Sequence, residues 1–234
     1  MDRTATLEQL ARLCRTGTEA LRAPDVEVSG SATLDAALPL RGWQVGSMVE
    51  MMPDAIGIGE LQLLMPALAR ITQSERYVAF ISPPYIPFPA ALSQQGLRLE
   101  HLLVMRADKP ADALWVCEQA LRCKSFGAVV AWPAAIKDRE VRRLQLAAAA
   151  GRSIGFLYRS PSAALEASPA ATRLKLQSNP DGSLRVEILK CRGGRGGIAV
   201  TCLDQAPVNR AYVDQTFDQT SPVVTHPAAV AAGI

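Results

Sequence analysis

Between residues 77 and 158 the chain repeats one alternation: a short apolar run, then a segment with helical spacing. The runs are "YVAFIS" (77–82), "HLLVM" (101–105), "GAVVAW" (127–132) and "SIGFLY" (153–158). A strand apolar at nearly every position must be buried on both faces, which is the condition of a parallel sheet covered by helices. The helical segments are "PADALWVCEQALRC" (110–123), with Pro110 in its first turn, and "DREVRRLQLAAAA" (138–150), with Gly151 as its C-cap. Upstream, "SMVEMM" (47–52) predicts another strand and "GELQLLMPALARITQ" (59–73) another helix. In that helix Leu61, Leu64, Met65, Leu68 and Ile71 share a face, and Pro66 is expected to kink it. Downstream the period changes to two. "TRLKLQ" and "SLRVEILK" alternate polar and apolar residues around the turn "SNPDGS", and "IAVTCL" (198–203) adds a strand. The expected fold is α/β, with a mostly parallel central sheet, helices on both faces and a C-terminal antiparallel hairpin.

The flanks read differently. Residues 6–21 predict an N-terminal helix, with Thr6 and Gln9 at capping-box spacing, and the stretch around residues 22–42 reads as irregular. After Asp204 the chain is rich in Pro and Ala and is expected to be a mobile tail. The organisation is thus an N-terminal helix (1–25), a core domain (26–203) and a tail (204–234). With 234 residues, 49% of them hydrophobic, the chain can bury one sizeable core. A formal net charge of +3 does not by itself imply nucleic acid. Five cysteines without a CxxC pair, and two histidines, predict no zinc site, no other metal site and free thiols of a reducing compartment. The start of the chain lacks a signal-type apolar run and no segment has 18 uninterrupted apolar residues, so a cytoplasmic protein without membrane contact is expected.

The turn after "SMVEMM" stands where α/β sheets bind ligands, beyond the carboxyl end of a strand. A working phosphate loop there reads G-x-x-x-x-G-K-[ST]. This chain offers Met52 for the first glycine, then Gly57, then Ile58 for the lysine and Gly59 for the hydroxyl residue, with Glu60 following. Glu60 suits a helix N-terminus but repels a triphosphate. No cofactor and no catalytic residue are expected from this turn. Cys117 and Cys123 share a helix without a histidine near them in sequence, and a catalytic thiol is not expected there either.

Two other groups are candidate partner- or DNA-binding residues. Arg139, Arg142, Arg143 and Arg152 lie on or near one helix, and Lys190, Arg192 and Arg195 lie in "KCRGGRGG". They either meet DNA phosphates together or form a solvated helix face and a mobile loop. "PPYIPFP" (83–89) carries Tyr85 and Phe88, which either bind a partner or pack on the sheet edge.

The order of segments carries a resemblance. In "VSGSATLDAALPLRGWQVGSMVEMMPDAIGIGELQLL", Gly30, Leu34, Asp35, Leu38, Gly42, Gly46 and Glu50 fall in the order seen at the opening of a RecA-type core. Pro84 takes roughly the place of that core's catalytic glutamate and Trp132 that of its magnesium-binding aspartate. The blocks "GIGELQLLMPALA", "ISPPYIPFPAAL", "PADALWVCEQALR" and "VEILKCRGG" are similar to the ImuA branch of RecA-like proteins. That resemblance implies a RecA-like core and a non-enzymatic accessory role in SOS-induced translesion DNA synthesis, with an ImuB-like partner and further contacts to RecA or DNA. The related SulA cell-division inhibitors share the degraded core. They imply the alternative: an SOS inhibitor that binds FtsZ. The extension past residue 180 is read as favouring ImuA. A divergent ATPase is the third reading.

Overall fold

The computed structural model describes residues 25–107 and 109–202. The expected helix at 6–21 and the tail from Asp204 lie outside the described residues. One eight-stranded sheet organises the rest, in the order β10-β9-β8-β3-β7-β6-β4-β5. Its parallel strands are β3 (Met48–Pro53), β4 (Tyr77–Ile81), β5 (Leu102–Met105), β6 (Phe126–Ala131), β7 (Ile154–Tyr158) and β8 (Thr172–Ser178). The last two, β9 (Leu184–Cys191) and β10 (Ile198–Cys202), run antiparallel as the predicted hairpin and its added strand.

Burial explains the split. Every residue of β6 and β7 is buried, because both of their faces carry helices. On one face α2 (Met65–Gln73) packs Leu68 and Ile71 against Val49, Phe80, Val130 and Phe156. On the other, α4 (Pro110–Arg122) and α5 (Asp138–Gly151) pack Val116, Leu121, Val141 and Leu144 against Met48, Ala79, Val129 and Leu157. In β9, Leu184, Val186 and Ile188 are buried while Arg185 and Lys190 are exposed, so this half has one wet face.

Three local expectations are corrected. The helix expected from residue 59 begins at Met65, and Pro66 lies in its first turn. Proline lacks an N–H, and the first turn is where no helical partner for one exists, so Pro66 starts this helix and does not kink it. Gly151 is the last helical residue, and the left-handed cap is Arg152, at φ 52°. Gly151 is instead needed for closeness, since a Cβ there would strike the carbonyl oxygen of Leu121. Cys123, expected to be a free thiol, is disulfide-bonded, whereas Cys117, Cys191 and Cys202 are free.

The stretch read as irregular holds a two-stranded ribbon, β1 (Val26–Glu27) with β2 (Trp43–Gln44), and a short helix α1 (Ala32–Ala37). Ser31 caps α1 through its side chain. Thr33 of α1 donates from Oγ1 to the carbonyl oxygen of Thr201 at 2.9 Å, which blunts the β10 edge of the sheet. A further helix, α3 (Pro89–Gln94), follows the proline-rich loop. Among the described residues no helix is long and apolar enough to cross a membrane.

Candidate functional site

The turn after β3 is held from three sides. Ile58, standing where a phosphate loop has its lysine, is partly buried and packs into the α2-side core. Gly57 and Gly59 adopt φ of 85° and 96°, a region in which glycine avoids the strain of a Cβ. The Gly57 N–H donates to both oxygens of the Glu60 carboxylate, at 3.1 Å each. In a phosphate loop such an N–H points at phosphate; here the chain's own carboxylate occupies it. Tyr158, at the end of β7, donates from its hydroxyl to the Glu60 carbonyl oxygen at 2.9 Å. Burial foremost, then the Glu60 charge, pushes the Tyr158 phenol well above its usual range, so it remains a donor. Helix α2 starts five residues beyond Glu60, so its N-terminal N–H groups do not open directly from the turn as those of a phosphate-loop helix do.

Beside this turn lies a cleft of about 280 Å³. Its floor is Trp132 stacked on Tyr158, ring centroids 4.9 Å apart and planes 5° from parallel, with Phe80 edge-on to Trp132. Its walls are Pro53–Ile56 and Glu60 from the β3 turn, Pro84 from the β4 loop, Pro133, and Arg159–Pro161 after β7. All of these follow carboxyl ends of parallel strands, as the α/β rule expects.

Beneath the cleft is a buried charge cluster. Glu50, fully buried on β3, accepts from Arg173 Nε at 2.8 Å, Arg159 Nη1 at 3.0 Å and Ser168 Oγ at 2.8 Å. Arg159 also pairs with Glu166 at 2.8 Å, and Arg173 donates to the carbonyls of Ala163 and Glu166. Four groups thereby tie the 159–171 crossover onto β3 and β8. Each charge has partners, which is the condition for burying it without a large penalty.

Several sequence candidates are separated by the fold. Met52 is fully buried and is part of the core. Arg143 pairs with Glu118 of α4 and is a helix-to-helix tie, while Arg139 and Arg142 are exposed. Lys190 donates to the Ser168 carbonyl oxygen at 2.7 Å, and Arg192 and Arg195 are exposed. The α5 arginines follow the carboxyl end of β6, whereas the loop after antiparallel β9 sits at the opposite end of the sheet. The two basic groups therefore do not form one surface.

Tyr85 and Phe88 keep much of their side chains in solvent. They are 64% and 60% exposed, and Ile86 (72%) and Ile56 (62%) add to the apolar surface of the two loops. Sequence reasoning passed over Ile56, Asp54, Tyr158 and Arg159. Their one signal was position, at or just beyond the carboxyl end of an apolar strand. Among the described residues no three His, Cys, Asp or Glu side chains are grouped to hold a metal ion. Burial pushes the Cys117 thiol up to about 12, so it is protonated and inert at neutral pH. The geometry offers an apolar, aromatic-floored recess, and among the described residues no nucleophile is paired with a base there.

Comparison with known proteins adds to this. The family model described as "Cell division inhibitor SulA" matches residues 46–155, which run from just before β3 into β7. The Cell division inhibitor SulA of Edwardsiella piscicida is 32% identical over 108 residues, 46% of this chain and 64% of that protein. Those of Yersinia pestis and Yersinia pseudotuberculosis are 26% identical over 117 residues, 50% of this chain and 70% of theirs. These matches overturn the expected ImuA-like translesion role and support its alternative. Of the blocks that carried the resemblance, those from the β3 turn through α4 fall inside the SulA match, and "VEILKCRGG" lies outside it. The extension past residue 180 lies outside it and does not by itself identify a family.

Proposed function

We propose that this protein is a SulA-type cell-division inhibitor of the SOS response, a binding protein without catalysis, whose partner is FtsZ. The observation that carries the reading is the match over residues 46–155. That stretch includes the β3 turn, the proline-rich loop and Trp132, which supply most of the cleft. The sheet is read as a RecA-like core on its succession of strand β3, glycine-bearing turn and α2. Occupation of the Gly57 N–H by Glu60 speaks against the ATPase reading. The reading is tested by expressing the chain in dividing bacteria and by sedimenting purified FtsZ polymer with and without it. Filamentous cells and reduced polymer are expected. Normal division together with unchanged polymer overturns it.

A further inference from the structure

The cleft beside the β3 turn differs from an anion site in its charge, its donors and its size. Two carboxylates, Asp54 and Glu60, line it. Asp54 is exposed and, among the described residues, no hydrogen bond or ion pair reaches its side chain, and the hydrogen bond to the Glu60 carboxylate is local, from the Gly57 N–H. The one cation in the lining, Arg159, is held by Glu50 and Glu166. The uncompensated charge of the lining is therefore negative. Four of the lining residues, Pro53, Pro84, Pro133 and Pro161, have no N–H to offer a phosphate or carboxylate. The volume of about 280 Å³ lies at the bottom of the range of small-molecule sites and suits one or two side chains. Its floor is aromatic, and guanidinium and ammonium groups are attracted to such rings. The rim continues into the exposed Ile56, Tyr85 and Ile86, more apolar surface than an isolated exposed residue would need.

We propose that this cleft docks an apolar segment of the partner protein through a lysine or arginine side chain, the cation set between Asp54 and Glu60 and the apolar flanks on Ile56, Tyr85 and Ile86. The proposal rests on the reading of this protein as an inhibitor that works by binding, and it assigns the chemistry that the partner must present. An acidic or phosphorylated segment does not fit. A second copy of this chain is the competing occupant.

The test uses the full-length chain and three capped heptapeptides, Leu-Phe-Leu-X-Leu-Phe-Leu, with X as Arg, Gln or Glu, made soluble by a neutral polyether tail. Binding is followed by the indole N–H resonances of the three tryptophans, the Trp132 signal being assigned with Trp132→Phe. The Arg peptide is expected to shift the Trp132 signal saturably and to bind about fivefold more tightly than the Glu peptide, as exposed charge contacts contribute modestly. Asp54→Asn combined with Glu60→Gln should remove that discrimination. Both substitutions keep size and one acceptor oxygen, which suffices for the Gly57 N–H at Glu60, and Asp54→Asn alone serves if the pair unfolds. Equal binding of all three peptides, no binding, or preference for the Glu peptide overturns the proposal. So does sedimentation showing a dimer that the double variant dissociates. Failure of the inhibitor reading is separate. If wild-type chain produces filaments while no peptide discrimination is seen, the inhibitor reading stands and the cleft assignment falls. If the discrimination is seen without filaments, the cleft chemistry stands and its link to division falls.

Discussion

The turn after β3 and the loop after β9 both carry glycines at positive φ, and both drew attention as binding loops, yet they are held in different ways. The β3 turn is anchored by side chains: Ile58 in the core, Glu60 on the Gly57 N–H, and the Tyr158 hydroxyl on the Glu60 carbonyl. The loop at 192–197 is closed by backbone bonds, Gly194 N–H to Cys191 and Gly197 N–H to Ile188, and its Arg192 and Arg195 project into solvent. The first is a shaped surface over buried, fully paired charges. The second is an exposed basic hairpin end. Glycine content therefore says where a chain bends, and the side chains packed around the bend decide whether it is a rigid site.

The contrast is broken or sharpened by substitutions of decreasing effect. Glu50→Ala leaves Arg159 and Arg173 buried without their shared carboxylate, and a loss of about 3–5 kcal/mol in unfolding free energy is expected. Chemical denaturation measures it, and a loss under about 1 kcal/mol would mean that water already relieves the cluster. Tyr158→Phe removes one hydrogen bond from the β3 turn and should cost about 1 kcal/mol. It should also speed amide exchange at residues 57–61 relative to β6. Unchanged exchange would show that Ile58 and the Glu60 carboxylate fix the turn without the Tyr158 hydroxyl. The triple change of Lys190, Arg192 and Arg195 to Ala should shift stability by less than about 0.5 kcal/mol, since these groups are exposed. A larger loss, read as a lowered Tm, would place the β9 loop with the anchored class.

Glu27 grades between the two. Burial foremost raises its pKa above the ordinary 4.5, with Arg70 and Arg76 pulling the other way. A carboxyl raised in the folded state contributes its stability in the protonated form, fully below 4.5, and loses it as pH rises through the folded value. Glu27→Gln should therefore flatten the decline in stability just above pH 4.5; an unchanged slope in unfolding experiments from acid to neutral pH would remove this role. The smallest effect is expected from ATP with magnesium. Affinity weaker than about millimolar, or about 4 kcal/mol, should leave Tm essentially unmoved at micromolar nucleotide, and calorimetry giving a micromolar Kd would reverse the reading of the β3 turn.

Periodicity alone determined the parallel strands, the helices α4 and α5, and the change to a hairpin near residue 172. A strand buried on both faces has to be apolar throughout, and one with a wet face has to alternate, so each leaves its pattern in the residues. That Met52 and Ile58 stand where a phosphate loop has glycine and lysine was equally legible. Short elements such as α1 and the β1–β2 ribbon escaped, since few residues give no period and their stability comes from what they pack against. Tertiary structure alone brought Glu50, Arg159, Ser168 and Arg173 into one buried cluster, from positions up to 123 residues apart in the chain. It alone set Trp132 on Tyr158 as a floor and parted the two groups of arginines to opposite ends of the sheet. Strand order decides which carboxyl ends become neighbours, and strand order is fixed by the packing of helices on both faces, which no single segment of sequence records.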